Sequence, residues 1–133
     1  MEPSAELKNA VLRLYDAMAA GDVSAIERLF SRRDGVLAIG SDPAEWWAGH
    51  DAIVRKFEAQ LLETGTRRID PGELSAFVEG TVGWAVDRRT MLLRNDKELT
   101  VRETTVFHRE EGEWKIVQFH ASLAVSNAEV FNL

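Results

Sequence analysis

With 133 residues and no cysteine, the chain has room for one substantial core and no means of making a disulfide or a thiolate metal site. Its net charge of −6 is the wrong sign for tracking a phosphate backbone, and the arginine pairs Arg32-Arg33, Arg67-Arg68 and Arg88-Arg89 each have acids nearby. No apolar run approaches the roughly 20 residues of a membrane-spanning helix, and the amphipathic start of the chain does not read as a signal peptide, so a cytoplasmic protein without nucleic-acid or membrane partners is expected.

Pro3 stands where a helix can begin, and Leu7, Val11, Leu14, Tyr15 and Met18 then recur at helical spacing as one apolar stripe. Gly21 fits a C-cap. Asp22 fits the N-cap of a second helix carrying Val23, Ile26, Leu29 and Phe30. Residues 35–40 form a short apolar strand candidate. Residues 41–49, with Trp46 and Trp47 side by side, read as a loop or single turn. A third helix is expected from about Asp51, burying Ile53, Val54, Phe57, Leu61 and Leu62 and ending at Gly65.

From Arg67 the apolar period changes to two. Residues 67–79 make a first strand, interrupted at Asp70-Pro71-Gly72 by a bulge or turn. Gly80 turns the chain into residues 81–93, and Asn95-Asp96 turns it into 99–109. The final strand is 113–125, with 126–133 as a tail. The last two strands are rich in Val, Ile, Thr, Phe and Trp and meet at Glu110-Glu111-Gly112-Glu113, a hairpin signature. Both exceed the usual length of about 5–6 residues, which favours the middle of a bent sheet with a concave side. The whole chain, 1–133, thus reads as one α+β domain with three helices laid on one face of meandering strands.

This order resembles the cone-shaped nuclear transport factor 2-like fold, which includes ketosteroid isomerase, scytalone dehydratase and SnoaL-like polyketide cyclases. ETTVFHREEGEWKIVQFHAS, residues 103–122, is similar to the end of the association domain of calcium/calmodulin-dependent protein kinase II and to bacterial SnoaL-like proteins. DPAEWWAGHDAI, residues 42–53, resembles the same bacterial group, in which a Trp-x-Gly segment leads into the third helix. The fold hosts enzymes, binders and assembly modules, so the resemblance implies architecture more than reaction. The kinase domain keeps arginines in its pocket. The positions matching them here are Val86, Thr105 and Ala121, so an arginine cluster for small carboxylates does not carry over. The same alignment implies that Glu103, Thr105, Phe107, Val117, Phe119 and Ala121 face into the cone. Trp84, Val86 and Arg88 are expected to join them. The opposite face, with Val106, His108, Trp114, Ile116 and His120 among its residues, is too apolar in its middle for water and implies a homodimer paired through the sheet.

Glu103 among Trp84, Phe107 and Phe119 is a candidate general base with a carboxyl raised by burial. The competing reading is a structural ion pair with Arg88 or Arg102. By the resemblance the first helix lids the cone, so Tyr15 is a candidate donor to a ligand oxygen, against a plain core role. Of Trp46 and Trp47, one is expected to close the core and the other to line the pocket entrance. His50, His108 and His120 lack a clear third ligand and read as structural or interface residues, so no metal is expected. No Gly-rich phosphate loop, nucleophile elbow or HExxH is present. Two functions follow. One is a pocket for a small, largely apolar molecule, without cofactor, with or without acid–base chemistry by Glu103 and Tyr15 between walls such as Trp84 and Phe119. The other is a non-catalytic binding or assembly module.

Overall fold

The computed structural model describes all residues, 1–133. It opens on a two-residue strand, β1 (Glu2–Pro3), and passes directly into α1 (Ala5–Ala20). Ser4 caps that helix by accepting from the Leu7 amide at 3.2 Å. Gly21 ends it in the left-handed region at φ 67°, where a residue without Cβ is unstrained. Asp22 accepts from the Ala25 amide and starts α2 (Val23–Leu29). Then come β2 (Leu37–Ile39), β3 (Trp46–Ala48) and α3 (His50–Thr64). The remainder is β4 (Thr66–Asp70), β5 (Ser75–Glu79), β6 (Val82–Leu93), β7 (Glu98–Glu110), β8 (Glu113–Leu123) and α4 (Asn127–Phe131).

All eight strands join one sheet in the order β1-β5-β6-β7-β8-β2-β3, and β4 also pairs with β6. Every pairing is antiparallel except that of β2 with β8. The long β6, β7 and β8 form its middle. On one face α1 packs over β4, β5 and β6, and α3 over β2 and β3. The core between them is apolar, with Leu7, Leu14, Ile26, Ile53, Phe107 and Ile116 wholly buried. At one end Phe57 joins Phe30, Trp47 and Phe119 in an aromatic cluster with ring centroids 5.3 to 5.8 Å apart. Gly83 lies beneath α1, where a Cβ would overlap the Leu7 side chain. None of the helices is long and apolar enough to cross a membrane.

The α+β cone is as expected, and several details differ. The break at Asp70-Pro71-Gly72 divides one expected strand into β4 and β5, which share β6 as partner. The Trp46-Trp47 segment is a strand, because Ala38 and Ile39 offer it a free edge. Part of the tail forms α4, and Leu62 is 77% exposed rather than buried.

Two further corrections concern which side chains face the helices. Asp87 stands directly opposite Glu103 in the β6–β7 ladder, and residues opposite one another share a face. An inward Glu103 therefore brings Ala85, Asp87 and Arg89 inward and turns Trp84, Val86 and Arg88 outward. Burial agrees, since Val86 is 45% exposed and Arg89 is 2% exposed. In the β7–β8 ladder, Val106 pairs with Gln118 and Phe107 with Ile116, so Val117 is the extra residue of a bulge. Beyond it the alternation is inverted. Ile116 is buried, whereas Val117 is half-buried.

Candidate functional site

The middle of the sheet buries charge. Asp87, Arg89 and Glu103 are each 2% exposed, with Tyr15 and Thr105 closed off beside them. The Arg89 Nε donates to Glu103 Oε1 at 2.7 Å, and Thr105 Oγ1 donates to the other carboxylate oxygen at 3.3 Å. The Tyr15 hydroxyl, brought in by α1, donates to Asp87 Oδ2 at 2.8 Å. Asp87 Oδ1 accepts from the backbone amides of Gly72 and Glu73 at 3.1 and 2.8 Å. The turn at Pro71 is thereby tied to the sheet, and a Cβ at Gly72 would overlap the Arg88 carbonyl. The Arg89 guanidinium also lies over the Tyr15 ring, 5.3 Å from its centroid.

Burial pushes the Glu103 carboxyl above the ordinary carboxylate range. Arg89 and the hydrogen bonds from Arg89 and Thr105 oppose the rise, while Asp87 adds to it. Burial also raises the Tyr15 phenol, helped by the charge of Glu103 and by its bond to Asp87. Tyr15 is thus a neutral donor.

Beside this network lies a cavity of about 150 Å³, enough for a benzene-sized molecule. Its walls come from Met18 of α1, Trp47 of β3, Phe57 of α3, Met91 of β6, Val101 of β7 and Phe119 of β8. Exposed Ser41, Thr64 and Leu123 form part of its rim. Two charged side chains reach the walls: Arg89, and Glu45, whose carboxylate accepts from Gln60 of α3. Arg89 Nη1 and Thr66 Oγ1 are the two buried side-chain polar atoms without a hydrogen-bond partner, and both residues line this cavity.

The expected site residues divide between the two faces. Trp47, Phe119 and Ala121 line the cavity. Trp46 is 66% exposed, which settles which of the two tryptophans turns inward. Glu103 and Thr105 face inward but sit behind Arg89, outside the lining. Trp84, Val86 and Arg88 lie on the far side of the sheet, where Trp84 stacks near Phe77 and Arg88 pairs with Glu73 at 2.6 Å. The ion pair expected between Glu103 and Arg88 or Arg102 is made by Arg89 instead. Asp87 and Arg89 are the functional candidates that sequence reasoning passed over; their signal was the register with Glu103. His50 Nε2 donates to the Glu27 carbonyl, His108 contacts Glu110, and no group of three His, Asp or Glu side chains is arranged to hold a metal.

Comparison with known proteins places this architecture. Residues 7–126 match the model of the SnoaL-like domain family. A nuclear transport factor 2-like protein of unknown function from Pseudomonas putida superposes with a TM-score of 0.81 at 18% identity, over 94% of this chain and 89% of that one. A dehydratase-like member of the same fold family from Streptomyces avermitilis gives 0.75 at 18% identity, covering 91% and 95%. A protein resembling the calcium/calmodulin-dependent protein kinase type II association domain, from Thiobacillus denitrificans, gives 0.75 at 18% identity, covering 94% and 98%. Among curated proteins no sequence matches the chain.

Proposed function

The chain belongs to the SnoaL-like family, and from that premise we propose that its cone is a binding pocket for a small, largely apolar molecule. The supporting observation is the cavity itself, walled by aromatic and aliphatic side chains from seven elements and with one buried guanidinium, that of Arg89, in its wall. Apolar walls supply affinity through surface removed from water, and a few fixed polar groups supply orientation. Binding fits the geometry better than proton transfer. A general base must reach the substrate proton, yet Glu103 is engaged by Arg89 and Thr105 and is absent from the cavity wall. Tyr15 is likewise engaged by Asp87.

The outward face carries Val82 and Val86, at 42% and 45% exposed, with partly buried Trp84 between them. Such a face is well suited to a second copy of the chain, and a homodimer paired through it is part of the proposal. Native mass spectrometry of the purified protein tests both halves. The expected spectrum shows a dimer that takes up a small apolar molecule, with uptake lost in Phe119→Asp. Retention of uptake in that variant would move the site elsewhere, and a monomer would remove the sheet-paired interface.

A further inference from the structure

We infer that the stretch of cavity wall at Arg89 selects a neutral hydrogen-bond acceptor and turns carboxylates away. Arg89 donates to the ligand oxygen, and Asp87 and Glu103 set the sign of the site. The ligand class is an apolar body carrying a ketone, ester or amide carbonyl. This inference rests on the binding reading above and adds the chemistry of the ligand to it.

Three observations carry it. First, Arg89 spends Nε on Glu103, while its Nη1 has no partner although the residue is 2% exposed and forms part of the cavity wall. A buried donor left unpaired is costly, and a carbonyl oxygen entering the cavity is the simplest acceptor for it. Thr66, whose Oγ1 is the other unpartnered buried atom, is a residue of the same wall.

Second, the charge around Arg89 does not suit an anion. One guanidinium faces two carboxylates, Asp87 and Glu103, which stand opposite each other in the ladder. The neighbouring Tyr15 hydroxyl is a neutral donor already committed to Asp87. The buried group is net negative when both carboxylates are ionised and neutral when Glu103, raised by burial, holds a proton, and in neither state is it net positive. In a poorly screened interior a second anion is repelled, whereas a neutral dipole still gains the hydrogen bond. The other charged group on the wall, Glu45, is negative as well.

Third, the wall beyond Arg89 is apolar. Met91 and Leu93 follow Arg89 on the same face of β6, Leu99 of β7 stands opposite Met91 and Val101 opposite Arg89, and Phe119 of β8 lines the same cavity. Hydrocarbon fits there, and no second cation is present to hold a carboxylate.

The test uses three probes on one phenyl-alkyl skeleton: benzylacetone (a methyl ketone), hydrocinnamate (the carboxylate) and butylbenzene (the hydrocarbon). Each is titrated into the intact protein near neutral pH, with Trp47 indole and Phe119 amide chemical shifts as the readout. Benzylacetone is expected to bind about fivefold or more tighter than butylbenzene, from one added hydrogen bond, and about tenfold or more tighter than hydrocinnamate, from repulsion. In Glu103→Gln, which removes one carboxylate from the cluster, the ratio of ketone to carboxylate affinity is expected to shrink several-fold. Hydrocinnamate binding as well as the ketone would overturn the inference, and so would an unchanged ratio in Glu103→Gln. Butylbenzene matching the ketone would remove the role of Arg89 while leaving the pocket standing. If none of the three shifts the cavity resonances, both the inference and the binding reading fall.

Discussion

Arg88 and Arg89 are consecutive residues of one strand, and each touches a glutamate at nearly the same distance, 2.6 Å to Glu73 and 2.7 Å to Glu103. The pairs differ in their surroundings. Arg88 and Glu73 are 60% and 69% exposed, whereas Arg89 and Glu103 are each 2% exposed. Water screens the outer pair and solvates each member when the contact opens. Nothing replaces the partner of the inner pair, and each ion has already lost its hydration. Similar contact geometry therefore carries very different consequences, and the difference is set by the one-residue alternation of the strand.

The largest expected effect comes from breaking the inner pair. Arg89→Leu leaves Glu103 buried without its cation and is expected to cost about 3–5 kcal/mol, read as a loss of urea stability. A cost below about 1 kcal/mol would mean that the inner pair behaves like a surface pair.

A smaller effect is expected from pH. Burial raises the folded Glu103 carboxyl above its ordinary value of 4.5, so between those two values the folded chain holds a proton that the unfolded chain has released. The contribution from Glu103 is fully present below the unfolded value and is lost as pH rises through the raised one. Glu110 runs the other way. Burial favours its protonated form, but bonds from His108 and Ser31 and the Arg33 charge outweigh this and hold it below the ordinary range. Its contribution is present above that range and fades as pH falls through its lowered value. Melting temperature measured against pH should therefore decline from mildly acidic toward neutral in the wild type, and less steeply in Glu103→Gln. Parallel curves would show that Glu103 is not the titrating group.

The smallest effect belongs to Arg88→Ala, which is expected to leave the urea midpoint where it is. A clear loss would show that the Glu73 contact anchors the turn at Pro71 more than its exposure allows.

The architecture was legible in the sequence because its signals are local. Helical spacing from Leu7 to Met18, the caps at Asp22 and Gly21, and the long alternating runs on either side of Gly112 all report on neighbours in the chain. The site was less legible because it depends on register. Alternation and resemblance place Glu103 on the inner face but offer Arg88 or Arg102 as its partner, and one step along a strand exchanges every side chain between faces. The Val117 bulge had the same effect on Ile116 and Trp114. Neither β-bulges nor cross-strand pairings leave a mark in spacing alone. Trp46 and Trp47 could not be told apart because the edge that orders them, β2, is only three residues long.

The face-to-face placement of Asp87 and Glu103 also bears on how the chain folds. A hairpin of β6 and β7 closing by itself would bring two carboxylates together across the ladder, a pairing that opposes its own formation. Arg89 comes from within the hairpin and offsets part of this. The rest arrives from outside: Tyr15 on the first helix, and the amides of Gly72 and Glu73 in the preceding turn. The centre of the sheet is thus an unfavourable early nucleus and a favourable late one. Its closing is coupled to the docking of a segment about seventy residues away in sequence, as the separation of Tyr15 and Asp87 records.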